Sequence, residues 1–306
     1  MQFPQLHAGI GRQFGPFTIF PVWSDARGKL GLSTGAHAQL QVTELASGPE
    51  VNRLTVRNAG PRSALLVEGE LLEGGHQHRV AAESLVLGAG EQADVPAFCV
   101  EQGRWGGPSA QHGRRGRRAP LHVRAELAGF GGPGHGDRHP DQGRVWQRVG
   151  RFASEVSATG SLVEALDATP RPDLEVPGPL EGQRGVVIGL AGRALMLELF
   201  GTSTMFARHW AQLADALRFE AGHALELPQH PTPGHAARDF VAALPATADP
   251  LIAKMRDYGD EASTYALRGT AGRIALRGLG LRGEFPRPFQ IAHMSAWDAT
   301  HPFVTA

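Results

Sequence analysis

The segment from Ser63 to Trp105, SALLVEGELLEGGHQHRVAAESLVLGAGEQADVPAFCVEQGRW, restricts the possible folds more than any other part of the chain. Its apolar runs are short, and each ends on glycine or a cluster of polar residues, which is the punctuation of strands and turns rather than of helices. Ser63–Val67 is apolar on both faces and so belongs in the middle of a sheet. Glu68-Gly69-Glu70 and Glu73-Gly74-Gly75 end that run, and Gly88-Ala89-Gly90 joins Ser84–Leu87 to Ala93–Val100. Side chains alternate along a strand, so Val95, Ala97, Cys99 and Glu101 share a face. With Val95 and Ala97 pointing inward, that face carries a thiol and a carboxylate to the strand's end. A carboxylate there requires a cation, and Arg104 is close enough in sequence to supply one.

The flanking sequence continues the pattern. Phe17 to Trp23 reads as an opening strand that Pro21 confines to an edge or a bend. Leu40 and Val42 alternate with Gln41 and Thr43, and Leu54 and Val56 with Arg53, Thr55 and Arg57, as half-buried antiparallel strands do. From Gly106 to Gln142 the composition turns to Gly, Arg, His and Pro, including Gly113-Arg-Arg-Gly-Arg-Arg118, and reads as a functional cover loop or a mobile segment, with Arg114, Arg115, Arg117 and Arg118 as phosphate contacts or, more simply, as a solvated loop. Val145, Val149, Phe152 and Val156 then fall at helical spacing and predict an amphipathic helix over Gly143–Ala158. A short helix is expected over Ser161–Asp167, a linker over Pro170–Pro179, and a hairpin turning at Ala191-Gly192-Arg193. Thr202 or Ser203 can cap a helix with the stripe Phe206, Trp210, Leu213 and Leu217, and another helix is expected around His235–Leu244. Strands resume at Ser263–Leu267, Arg273–Arg277 and Gln290–Trp297. The pattern predicts an α+β protein with an antiparallel β-sandwich-like core and several covering helices. A single domain is expected over residues 1–306: β-rich from 15 to 105, a loop from 106 to 142, and mixed α/β from 143 to 298.

The 30 basic and 30 acidic side chains cancel, which argues against a nucleic-acid or membrane-surface binder, because those carry an excess of positive charge. One cysteine excludes an intramolecular disulfide and Cys-cluster metal sites. The N-terminus has neither the basic nor the apolar region of a secretory signal, and no run is long enough to span a membrane. A soluble, cytoplasmic protein is expected.

Several motifs carry candidate chemistry. His76-x-His78 followed by Glu83 and Gly90 nearly matches a cupin metal motif, since histidines at i and i+2 of a strand share a face and a carboxylate can complete the site. Gly69 lies one residue too far upstream for that motif, and His293 is the best candidate for a further ligand. The alternative is an exposed polar turn. Cys99 reads either as a nucleophile, if a neighbour lowers its pKa, or as a small core residue. Glu101 and Arg104 read as a structural ion pair or as part of an anion-recognising pocket. Trp105 reads as a core lid or as a stacking platform for a base. Gly278–Gly283 and Gly129–Gly134 fit G-x-G-x-x-G, but Pro-rich sequence follows the first and Pro133 interrupts the second, so neither opens a helix as a dinucleotide site requires.

Gly69-Glu70, Gly74-Gly75-x-Gln77-x-Arg79, Cys99-Val-Glu101-x-Gly103-Arg104-Trp105, Gly185-Val-Val and the run from Phe200 to Trp210 together resemble the ARPP family. This is the domain associated with ADP-ribosylglycohydrolases and rhodanese-phosphatases. The resemblance covers the chain from about Phe17 to Trp297. It implies a role near NAD or ADP-ribose metabolism, with a small nucleotide-like ligand as partner and no stated cofactor. Carried over residue by residue, it marks Gln77, Arg79, Arg104 and Trp105 for ligand binding and Glu101 and Cys99 for catalysis. Two other readings stand beside it: a metal-dependent, cupin-like enzyme using His76, His78 and Glu83, and a non-catalytic module in which Cys99–Trp105 locks the fold.

Overall fold

The computed structural model describes residues 2–26, 30–129, 140–223, 227–228, 230–254, 264–281 and 290–305. The first part of the chain forms short strands: β1 (Leu6–Ala8), β2 (Arg12–Phe14), β3 (Phe17–Ser24), β4 (Ser33–Thr34), β5 (Leu40–Thr43), β6 (Arg53–Asn58), β7 (Ala64–Leu66), β8 (Leu71–Gly74), β9 (Arg79–Ala81), β10 (Leu85–Leu87), β11 (Gln92–Cys99) and β12 (Gln111–Gly113). Three helices follow, α1 (Leu121–Leu127), α2 (Gln142–Ala153) and α3 (Leu162–Ala168). Longer elements complete the chain: β13 (Gly185–Leu190), β14 (Arg193–Phe200), α4 (Ser203–Ala221), α5 (Gly234–Lys254), β15 (Thr264–Ala271), β16 (Ile274–Leu281), β17 (Gln290–Asp298) and α6 (Pro302–Thr305).

The protein is α+β, and its sheets are antiparallel apart from the short β4–β7 pair. Strands β11-β6-β5-β12-β8-β9 close a small barrel, while β1-β3-β13-β14-β17-β16-β15, with β2 beside β3, make an eight-stranded sheet. Leu40, Val42, Leu54, Val56, Val95 and Ala97 fill the barrel with the apolar halves of their alternating strands. In the large sheet, alternation sends Val186 and Ile188 to the face packed by α4 and Val187 to the face packed by α5. Each such fully buried aliphatic side chain contributes about 1.5–3 kcal/mol of transfer free energy.

The sequence reading holds at β7, buried at all three positions in the centre of its sheet, and for the hairpin expected at Ala191-Gly192-Arg193, although the turn itself is only Ala191 (φ 50°) and Gly192 (φ 77°), both left-handed, and Arg193 already pairs in β14. It needs correction elsewhere. Pro21 lies on an internal strand, because β3 pairs with β13 on one side and with β1 and β2 on the other. The proline is tolerated opposite the Gly9–Gly11 gap between β1 and β2, where its missing N–H breaks no ladder. Helix α2 stops at Ala153 and leaves Val156 exposed. Helix α5 continues past Leu244 through Pro245 and Pro250, because Phe240, Val241, Leu244, Ala248 and Ile252 keep one face packed on the sheet.

Where it is described, the expected loop from Gly106 to Gln142 contains β12 and α1 and reaches the first residue of α2. Gly278–Leu281 belongs to strand β16 and opens no helix. Ser263, residues 130–134 of the Gly129–Gly134 run, and residues 282–283 of the Gly278–Gly283 run lie outside the described residues.

Candidate functional site

Five residues singled out by their types, Gln77, Arg79, Cys99, Glu101 and Arg104, form one interior network at the end of β11. Glu101 is 1% exposed, and its Oε2 accepts from Arg104 Nη2 at 2.7 Å and from the His78 N–H at 3.1 Å. The Thr159 hydroxyl donates to Oε1 at 3.0 Å, while Gln77 Nε2 and the Cys99 thiol both donate to the Glu101 carbonyl at 3.0 Å. Burial alone would push the Glu101 carboxyl up, but the Arg104 and His78 donors together outweigh it and leave the pKa below its ordinary value. Arg79 is fully buried, donates to Gln77 Oε1 at 3.1 Å, and is lowered by that burial. Burial likewise raises the Cys99 thiol, the opposite of what activates a nucleophile. Trp105 stands apart: it is 56% exposed, with its ring centroid 6.3 Å from that of His76.

The proposed metal ligands do not converge. Positive φ at Gly74 and Gly75 breaks the strand, so Gly75–His78 is a turn and the two histidines share no strand face. His78 Nδ1 accepts from the Gly74 N–H at 2.9 Å, His76 leans toward Trp105, and Glu83 is exposed between β9 and β10. His293 belongs to a different network, 3.0 Å from Glu198. Among the described residues no group of three or more His, Cys, Asp or Glu side chains is placed to hold a metal ion.

The arginine-rich segment is where structure departs furthest from the expectation of a solvated loop. Arg117 forks both oxygens of Glu73 at 2.7 Å. Arg114 donates to Glu70 Oε1 at 2.7 Å and to the Ala38 carbonyl at 2.8 Å. Arg118 and Arg124, both 0% exposed at the side chain, hold Glu198 at 2.9 and 2.7 Å, and Arg124 also pairs with Glu68 at 2.8 Å. Desolvation opposes the charge on Glu198, but the two guanidinium groups hold its carboxyl well below the usual range. The glutamates after β7 and the arginines after β12 are thus partners in one set of ion pairs.

One of those pairs, Arg114 with Glu70, lies on the wall of a cleft of about 600 Å³. Its lining includes Ala38, Leu40 and Val42, which are mostly buried in the barrel core, together with Arg114, Arg115 and Glu70. The Arg115 side chain is 71% exposed, with its Nε 3.5 Å from Glu73 Oε2. Glu70 Oε2 is buried with no hydrogen-bond partner among the described residues, and burial raises that carboxyl despite Arg114. Gln41 and Gln111 add exposed amides to the lining.

A closed antiparallel barrel, a large sheet packed by helices on both faces, and a charged cleft on the barrel define an α+β protein with room for a small polar ligand. The chain belongs to the ARPP-1 family: the family model, described as the ARG and Rhodanese-Phosphatase-superfamily-associated Protein domain, matches residues 5–296. No curated protein and no solved structure matches the chain significantly. Among the described residues no helix is long and apolar enough to cross a membrane.

Proposed function

We propose that the protein binds a phosphorylated, nucleotide-like ligand of the ADP-ribose class in the cleft between Gly35–Thr43 and Gln111–Gly116. The observation that carries this reading is Arg115, a largely exposed guanidinium on the wall of a cleft of about 600 Å³. That volume falls in the ordinary range for small-molecule sites, and a planar guanidinium fork suits a phosphate or pyrophosphate. Gln41 and Gln111 can hydrogen-bond a ribose or a base edge. The family's association with ADP-ribosylglycohydrolase proteins supports the choice of ligand class. Gln77, Arg79, Cys99, Glu101 and Arg104 are assigned to locking the fold, because their polar heads are turned on one another.

Calorimetry with ADP-ribose tests this. The wild-type chain should bind, Arg115→Ala should bind about tenfold more weakly or worse, and folded Arg104→Ala should bind as the wild type does. No heat with the wild type, or equal affinity in Arg115→Ala, would remove the proposal.

A further inference from the structure

A second cavity, of about 240 Å³, opens where the turn between β9 and β10 meets strands β15, β16 and β17. Its lining includes Ser84, His293 and Glu68, with Leu85, Leu267 and Leu279 as apolar walls. Ser84 Oγ lies 2.8 Å from His293 Nδ1, and His293 Nε2 lies 3.0 Å from Glu198 Oε1. The register explains the second contact. Glu198 on β14 faces Ser295 on β17, so His293, two residues along, is its diagonal neighbour on the same sheet face. Ser84 reaches the pair from the barrel side and is itself partly exposed.

The proton positions follow from the partners. Glu198 accepts from Arg118 and Arg124, and two guanidinium groups at this distance keep it ionised, so it can only accept. His293 Nε2 must therefore carry a hydrogen, and because burial favours the neutral ring, Nδ1 keeps its lone pair. Ser84 Oγ already accepts the Glu68 N–H at 3.0 Å, so its own hydrogen is the one left to donate to Nδ1. A hydroxyl held against a neutral imidazole, whose far nitrogen is fixed by a buried carboxylate, is the arrangement that activates a serine. Such a constellation is recognised by geometry and roles rather than by sequence spacing, which is why the lack of G-x-S-x-G does not bear on it. Glu68 and Glu198 balance Arg118 and Arg124, so an imidazolium formed at His293 faces a neutral cluster with a carboxylate 3.0 Å away.

We propose that Ser84, His293 and Glu198 form a nucleophile–base–carboxylate relay that hydrolyses short-chain carboxylic esters in this cavity, which is distinct from the Arg115 cleft. Ser84 Oγ adds to the ester carbonyl carbon as its proton passes to His293 Nδ1. The bond from that carbon to the alcohol oxygen breaks, and Nδ1 returns the proton to the departing alcohol. Water then adds to the acyl carbon while giving a proton to Nδ1. The acyl–Oγ bond breaks, the proton goes back to Oγ, and the acid leaves. Leu85, Leu267 and Leu279 suit an apolar acyl chain of a few carbons, since the volume admits little more.

An alkyl fluorophosphonate, which phosphonylates activated serines with loss of fluoride, and p-nitrophenyl butyrate are the probes. The full chain should gain the mass of one phosphonyl group, peptide mapping should place it on Ser84, and butyrate ester hydrolysis should fall in step with labelling. Ser84→Ala should lose both signals, and His293→Gln should slow labelling about a hundredfold or more, as expected when a general base is removed. No adduct on the folded wild type, an adduct elsewhere, or labelling that persists in Ser84→Ala would overturn the proposal. Should Ser84→Ala fail to fold, the mapped position on the wild-type chain decides alone. ADP-ribose binding at the Arg115 cleft is unaffected by either outcome.

Discussion

Replacing Glu101 separates a structural from a ligand-binding role for the Cys99–Trp105 element. In the wild type, three donors converge on its carboxylate: Arg104 Nη2 at 2.7 Å, the His78 N–H at 3.1 Å and the Thr159 hydroxyl at 3.0 Å. Hydrogen bonds to a charged group are worth about 1.5–3 kcal/mol each, but the Arg104 side chain is 26% exposed and can rehydrate when its partner is lost. A net cost of about 3 kcal/mol is therefore expected for Glu101→Ala, at the lower end of what breaking a buried pair costs. With an unfolding entropy of about 2.1 cal/mol/K per residue over 306 residues, that corresponds to a drop in Tm of about 5 °C. Glu101→Gln should cost about 2 kcal/mol, because its amide NH₂ must face at least one of the former donors. Thermal and chemical denaturation of the full chain measure the cost, and calorimetry at 15 °C below the variant's Tm should show ADP-ribose affinity unchanged. A Tm within 1 °C of the wild type would refute the locking role. Lost affinity with an unchanged Tm would make Glu101 part of the ligand site.

Two further outcomes follow from burial. His122 and His209 are lowered by desolvation to about 3, so on unfolding each takes up a proton once the pH is below about 6.5. Their stabilising contribution is present above that pH and is lost as the pH falls toward about 3. Glu220, raised by burial to about 7, acts in the opposite sense between about pH 4.5 and 7, because unfolding releases its proton. These three groups alone leave about one extra proton bound by the unfolded chain near pH 5.5. The burial-lowered His78, His112, His293 and His301 add to it and the burial-raised Glu70 opposes it, so stability should fall as the pH is lowered from 6 to 5. Denaturation curves at pH 5 and 6 that coincide would contradict this. Cys99 is fully buried, its thiol raised by that burial, and it should be inert to Ellman's reagent in the native state and titrate at one equivalent in denaturant. Rapid native reaction would return it to the list of candidate nucleophiles.

Strand alternation and turn chemistry made much of the fold legible in the sequence. Leu40/Val42 and Leu54/Val56 each marked the buried face of a strand, and Ala191-Gly192-Arg193 marked a hairpin turn, which the structure confines to Ala191 and Gly192 with Arg193 opening β14. The closure of the barrel was not legible, because which strands pair is a long-range property that local periodicity does not encode. The pairing of the arginines in the described part of Gly106–Gln142 is hidden for a related reason. These arginines look solvated when taken alone, yet Glu68, Glu70 and Glu73 pair with Arg124, Arg114 and Arg117 from more than forty positions away. The signal that could have exposed this was the excess of carboxylates on an otherwise apolar run, since buried acids need cations from somewhere. Glu101 and Arg104 could be paired from sequence because only two residues separate them. The convergence of Ser84, His293 and Glu198 could not be anticipated, because Ser84 and His293 are 209 positions apart and no spacing links them.

Hydrogen exchange with and without ADP-ribose tests the central claim, that the Arg115 cleft is the ligand site, most directly. Bound ligand should slow exchange in peptides covering 35–43 and 111–116 and leave those covering 76–79 and 99–105 unchanged. Protection confined to 76–79 and 99–105, or no protection anywhere at saturating ligand, would contradict it.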